Sequence, residues 1–209
     1  MSEVEHPQLY LITPPEFELD HFPALLGQVL DTSDVACVRL ALASQDEDKI
    51  CRAADAISGV TQARDVALVI DEHILLVEKL GLDGVHLGDG ARRVAKTRKM
   101  LGDDAIVGAF CGTSRHDGMN AGEAGADYVS FGPIGEGALG DGERASAELF
   151  QWWSEVIEVP IVAEGALDEA ALKGFAPLSD FFALGEEIWA AEDPSAALQK
   201  VARLIQGTV

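Results

Sequence analysis

Cations are scarce in this chain. Lys and Arg together number 15 against 36 Asp and Glu, a formal net charge of −21. Such a surface cannot neutralise phosphates along a nucleic acid or an anionic bilayer, which excludes both partner classes. A small phosphorylated ligand stays open, because it meets local charge and not the total. Cysteine is also scarce. Cys37, Cys51 and Cys111 are odd in number and form no CxxC pair, which argues against a disulfide framework or a zinc ribbon and for a reduced, cytoplasmic setting. No apolar run approaches the roughly 20 residues that cross a bilayer. The opening residues, Met1-Ser2-Glu3-Val4-Glu5-His6, are acidic where a secretion signal is basic and then apolar. No Pro-, Gly- or Ser-rich stretch reads as a linker, so residues 1–209 are expected to form one domain.

What is present is a recurring pair of patterns. Short, nearly continuous apolar runs lie at Leu9–Thr13, Val35–Leu42, Val66–Ile70, Gly84–Leu87, Ile106–Phe110, Tyr128–Phe131, Pro160–Ala163 and Asp180–Leu184. Runs of four to eight such residues suit strands buried on both faces of a parallel sheet. Helical signals lie between them. Asp46 can cap a helix ending near Ile57, and Ile74, Val77 and Leu80 precede Gly81 as a C-terminal stop. Ser114 can cap a helix ending before Gly125. Leu149, Trp153 and Val156 recur at helical spacing, and Pro194 suits the first turn before 197–205. Strand starts fall about 25 residues apart, the size of one βα unit in a small barrel. Eight such units predict an α/β fold, a single (β/α)8 barrel, since an open doubly wound sheet uses five or six strands. Active sites of such barrels sit at the C-terminal ends of the strands, and Asp71, Asp89, Glu164 and Glu186 are expected near that one rim.

Four of these strand ends resemble the thiamine phosphate synthase family and its relative, the thiazole tautomerase. The matching text is Leu9-Tyr10-Leu11-Ile12-Thr13, Asp83-Gly84-Val85-His86-Leu87-Gly88, Gly125-Ala126-Asp127-Tyr128-Val129-Ser130-Phe131-Gly132-Pro133-Ile134 and Val159-Pro160-Ile161-Val162-Ala163-Glu164-Gly165. The order and spacing hold over nearly the whole chain. The resemblance implies the barrel fold and a reaction that joins a pyrimidine pyrophosphate to a thiazole phosphate with magnesium. These matching positions are mostly scaffold, however, and function has to be argued from the site.

Carried over residue by residue, the resemblance gives a partial site. The family grips the leaving pyrophosphate with a Gln-x-Arg-Glu-Lys type motif after the second strand. Here the aligned residues are Arg39-Leu40-Ala41-Leu42-Ala43, which leave Arg39 as the one cation. The Thr-rich, Lys-bearing loop after the sixth strand is replaced by Gly135-Glu136-Gly137-Ala138-Leu139-Gly140-Asp141-Gly142. The family's metal-binding Asn-Asp aligns with Asp71-Glu72, and Asp89 lies close to its later Asp, so Asp71, Glu72 and Asp89 are the candidate Mg2+ ligands. Magnesium takes hard oxygen donors and shares them with phosphate. Gly132, Gly165 and Gly185 stand where backbone N–H groups face a substrate anion. Glu164 and Glu186 stand beside that place, and a like charge near 4 Å costs on the order of 1–4 kcal/mol. His86 completes the candidate binding residues, with packing its plainer role. Cys111 has no base beside it by motif, and Pro133 occupies the place of the tautomerase's catalytic His. No catalytic residue can be assigned.

Three functions stay open on the sequence: a divergent, weakened thiamine phosphate synthase; a barrel enzyme using its acidic mouth on another substrate, with Glu164 as base; and a non-catalytic small-ligand-binding or regulatory relative. The expected partner is a small molecule at the barrel mouth, with no nucleic acid and no membrane. Self-association as a homo-oligomer is compatible with the sequence.

Overall fold

A computed structural model describes residues 6–137 and 139–207; the acidic start at 1–5 and Ala138 of the Gly-rich loop lie outside the described residues. Eight parallel strands close into a barrel in chain order. They are β1 (Gln8–Ile12), β2 (Val35–Leu40), β3 (Ala67–Asp71), β4 (Gly84–Leu87), β5 (Ile106–Phe110), β6 (Tyr128–Phe131), β7 (Ile161–Glu164) and β8 (Phe181–Leu184). The helices wrapped around them are α1 (Phe22–Leu30), α2 (Glu47–Gln62), α3 (Ile74–Leu80), α4 (Val94–Leu101), α5 (Arg115–Glu123), α6 (Ala147–Val156), α7 (Glu169–Phe175), α8 (Glu186–Trp189) and α9 (Pro194–Gln206). The eight predicted strands are all present, three of them (β4, β5 and β6) with the predicted bounds. The second is shorter than its apolar run. Its ladder with β1 stops at Ile12↔Arg39, and the next free amide, Ala41 N–H, donates to Thr13 Oγ1 at 3.0 Å.

Local chemistry explains the helix ends. Asp46 Oδ1 accepts from the N–H groups of Asp48 and Lys49 at the start of α2. Ser114, Ser146, Asp168 and Asp193 do the same for α5, α6, α7 and α9. Each such cap is worth about 1 kcal/mol. Gly81 ends α3 in the left-handed region at φ 63°. The second helix runs on to Gln62, past the expected end at Ile57, because Ile57 and Thr61 both stay on its buried face.

Aspartates tie neighbouring strands at their N-terminal ends. Asp83, just before β4, accepts from Leu68 N–H of β3. Asp127, just before β6, accepts from Val107 N–H of β5, and Asp180, just before β8, accepts from Ile161 N–H of β7. All three bonds are 2.7 Å.

Strand alternation divides the core in two. One set of side chains packs outward against the helices, and the other fills the barrel. The interior set is Tyr10, Cys37, Val69, Tyr128, Val162 and Ala183. Tyr128 is accommodated by Gly108 on the next strand, where a Cβ would lie 2.1 Å from the ring. With that floor filled, the two residues next up the strands, Arg39 and Glu164, point into the mouth.

Candidate functional site

Above the tyrosines the barrel opens into a cavity of about 940 Å3. Its walls carry the apolar groups of Ile12, Pro133, Leu139 and Trp189, together with the carboxylates of Glu136, Glu164, Glu186 and Glu187. Arg39 is the one cation among the lining residues.

Arg39 is 5% exposed and ion-paired to two carboxylates, although its Nε makes no hydrogen bond. Its Nη1 donates to Glu164 Oε2 at 3.3 Å, its Nη2 to Glu164 Oε1, and its Nε faces Asp71 Oδ1 at 3.3 Å. Glu164, at the end of β7, is itself buried. The pairing is bidentate and crosses the barrel, so it fixes both side chains. Asp71 keeps a third of its side chain exposed, but Oδ1 is buried. That desolvation raises its carboxyl to about 6; Arg39 opposes the shift, and Glu164 and Glu72 add to it.

Below this cluster lies an uncharged chain of hydrogen bonds. Tyr10 and Tyr128 share one at 2.7 Å, and Tyr128 Oη lies 2.9 Å from His86 Nδ1. Burial holds His86 neutral, its pKa well below the usual imidazole range, and Arg39 pushes the same way. His86 is thus a buried, hydrogen-bonded part of the floor.

A second cluster sits on the rim. Arg93 binds Glu72 Oε2 and, at 2.7 Å, Asp89 Oδ2. Glu72 also accepts from Gly88 N–H at 2.6 Å and is held at φ 64°, a left-handed conformation uncommon for a residue with a Cβ. Arg92 is exposed, and Arg93 precedes α4. Cys111 is buried and its thiol is pushed up to about 12, a poor nucleophile.

The comparisons with known proteins agree with this architecture. Residues 9–177 match the profile of the family described as thiamine monophosphate synthase. The chain belongs to that family. The thiamine-phosphate synthase of Rhodospirillum centenum is 39% identical over 207 residues, covering 96% of this chain and 98% of that protein. That of Erythrobacter litoralis is 37% identical over 212 residues, covering 98% and 99%. Among solved structures, a thiamine phosphate pyrophosphorylase of Pyrococcus furiosus aligns with a TM-score of 0.82 at 19% identity, covering 97% of this chain and 96% of that one, a likeness of fold.

Within this family frame, the structure places the residues singled out from sequence as follows. Arg39, Glu164, Gly165, Gly185 and Glu186 line the mouth cavity, and Asp71 joins them through Arg39. Gly132 supports the wall: a Cβ there would lie 2.1 Å from Glu164 O, so a bare backbone is needed for β7 to approach. Glu72 and Asp89 belong to the Arg93 cluster. Among the described residues no three His, Cys, Asp or Glu side chains gather to hold a metal. Asp89 Oδ1 is, however, a buried carboxylate oxygen that accepts no hydrogen bond, and Asp71 Oδ1 is met by Arg39 Nε alone, at 3.3 Å and without a hydrogen bond. Such oxygens fit a magnesium ion that draws its other ligands from water and a phosphate substrate.

One expectation needs correction. The two glutamates do not converge on the backbone N–H groups at the ends of β7 and β8. Glu164 is turned onto Arg39, and Glu186 is exposed. The carboxylate at those N–H groups is that of Glu187. Its Oε2 accepts from Gly185 N–H and its Oε1 from Leu167 N–H, each at 2.9 Å. Gly185 starts the short helix α8, and this turn points residue 187, not 186, back at the strand ends.

Proposed function

We propose that this protein is a thiamine phosphate synthase relative of the cytoplasm whose mouth binds a small molecule but joins the two thiamine precursors poorly. The family reaction joins a pyrimidine pyrophosphate to a thiazole phosphate. Its difficult moment is the departure of pyrophosphate, whose charge has to be met by preorganised cations and donors. The observation that carries the reading is the state of Arg39. It is the one cation lining the cavity, and all three faces of its guanidinium are turned to Glu164 and Asp71. To hold a pyrophosphate it would have to exchange a buried carboxylate partner, and breaking such a pair costs about 3–5 kcal/mol.

Asp71 and Asp89 are the residues that would hold magnesium, which when bound supplies positive charge to the leaving pyrophosphate. Arg39 would meet the same group only by giving up Glu164 or Asp71. Ile12, Pro133 and Trp189 exclude water from one wall of the mouth. A single preorganised donor is worth about 3 kcal/mol, roughly a hundredfold in rate. With Ala41 and Ala43 where the family has cationic side chains, at least two such contacts are missing. The free thiols of Cys37, Cys51 and Cys111 support the cytoplasmic setting.

The test is turnover by the purified protein with both precursors and Mg2+. The expected rate lies at least a hundredfold below 1 s⁻¹. A rate on the order of 1 s⁻¹ or more, ordinary for enzymes, would overturn the reading.

A further inference from the structure

We infer that the outer face of α4 is a docking surface for an acidic amphipathic helix of another protein. Neither α3 nor α4 contributes to the lining of the mouth cavity, so this inference is independent of the turnover reading above.

The distribution of charge carries it. Five of the chain's 15 Lys and Arg fall within residues 90–102, a stretch with no Asp or Glu in a chain that holds 36 of them. Two of the five serve the fold. Arg93 holds Glu72 and Asp89, and Arg98 holds Asp127 and the carbonyl of Gly125. The other three, Arg92, Lys96 and Lys99, are exposed and form no ion pair with any described residue. Val94 and Thr97 take the buried face of the helix, which leaves Lys96 and Lys99 one turn apart on the outer face. Arg92, in the turn that leads into α4, stands four residues before Lys96.

This ridge does nothing for the helix that carries it. Positive charge at a helix start opposes the backbone dipole, and the first turn of α4 holds no acid. Like charges three and four residues apart repel. Only Lys99 lies at the end where the dipole favours a cation. Apolar surface adjoins the ridge: Met100 is 42% exposed, and Leu75, on the neighbouring helix α3, is 77% exposed.

Size and charge select the partner. From residue 92 to residue 99 a helix rises about 10 Å, which matches the reach of a charge in about 0.1 M salt. A short acidic helix meets only this local charge. A nucleic acid or an anionic bilayer extends beyond it, into the field of a chain with a net charge of −21. Carboxylates at i, i+4 and i+7 of a partner helix repeat the spacing of the three cations, and leucines beside them cover Met100.

The test uses the full chain and a capped, dye-labelled, alanine-based helical peptide with Glu at i, i+4 and i+7 and Leu beside them. By fluorescence anisotropy at low salt it should bind with a Kd below about 100 μM. Binding should weaken at least about tenfold in 0.5 M salt, and a peptide with Gln in place of Glu should bind at least tenfold more weakly. The triple change Arg92→Glu, Lys96→Glu and Lys99→Glu should cost at least tenfold in affinity. Lys49→Glu, Lys173→Glu and Lys200→Glu together make the same change of net charge and should leave the affinity nearly unaltered. Thermal unfolding checks the fold of each variant. If the reversed ridge does not fold, the neutral set Arg92→Gln, Lys96→Gln and Lys99→Gln takes its place. No binding of the acidic peptide, equal binding of the glutamine peptide, or an equal loss in the two triple variants would overturn the inference. Tighter binding of phosphatidylserine vesicles or of a short DNA duplex than of the peptide would also overturn it, by assigning the ridge to phosphates.

Discussion

Two arginines in this barrel each hold two carboxylates, and the consecutive residues Asp71 and Glu72 are divided between them. Arg39 takes Asp71 and Glu164; Arg93 takes Glu72 and Asp89. Each cluster has the same formal charge of −1, but their surroundings differ. The Arg39 side chain is 6% exposed, and that of Arg93 34%. In the central cluster Arg39 and Glu164 have been stripped of water, so each depends on the other, and losing one leaves an uncompensated buried ion, while Asp71 keeps a third of its side chain in solvent. On the rim, water and salt can replace any partner, and such pairs contribute about 0–1 kcal/mol. The same three side-chain types therefore form a constraint at the centre and only a local brace at the edge.

The largest effect is expected from Arg39→Met. It strands Glu164, and with it Asp71, and should destabilise the fold by about 3–5 kcal/mol. For a domain of this size that lowers Tm by roughly 6–20 °C. The double change Arg39→Met with Glu164→Leu removes the buried pair as a unit and should recover most of the loss. A double mutant no more stable than Arg39→Met would mean that the pair is not the unit of stability.

An intermediate effect is expected at Asp71, and its sign depends on pH. The folded-state carboxyl lies at about 6 against the ordinary 3.8. Above pH 6 it is ionised in both folded and unfolded chains, and the fold bears a partly desolvated charge. Between about pH 6 and 4 the folded chain takes up a proton that the unfolded chain does not, so this group's contribution improves as pH falls. Asp71→Asn lacks that uptake. Its Tm relative to the parent should therefore fall by a few degrees between pH 8 and pH 4. A difference that stays flat with pH would show that Asp71 titrates as an ordinary surface carboxylate.

The smallest effect belongs to Arg93→Ala. A loss of at most about 1 kcal/mol is expected, and it should shrink further in high salt. A loss comparable to that of Arg39→Met, unaffected by salt, would erase the distinction between the two clusters. Glu72, with its left-handed backbone and its bond to Gly88 N–H, would then be the place to look for the cause.

Much of the barrel was readable because strands buried on both faces are written as nearly continuous apolar runs, and because Asp46, Ser114 and Gly81 mark helix ends by simple chemistry. The site was less readable. That Val162 and Glu164 share a face follows from strand alternation, but which face turns inward depends on the closed sheet. Arg39 and Glu164 are 125 residues apart, and nothing local announces their pairing. Glu187 was missed because one residue of phase in a helix of four decides which glutamate meets the N–H groups. The bonded pair Tyr10 and Tyr128 left one usable signal, since they are the only two tyrosines in the chain and both fall within strands. The aspartates before β4, β6 and β8 left another, at one fixed offset from each strand.

Those aspartates bear on how the barrel comes together. Each joins two strands across a short stretch of chain, with sequence separations of 15, 20 and 19 residues. Loops of that length close at small entropic cost, so strands three and four, five and six, and seven and eight can pair locally before a cylinder exists. The seam between the first and last strands, Leu9↔Phe182 and its neighbours, spans most of the polypeptide and is the natural last step. Assembly by preformed pairs followed by one long-range closure leaves a distinct kinetic signature. Amide protons of the six later strands should gain protection from exchange before those of the first.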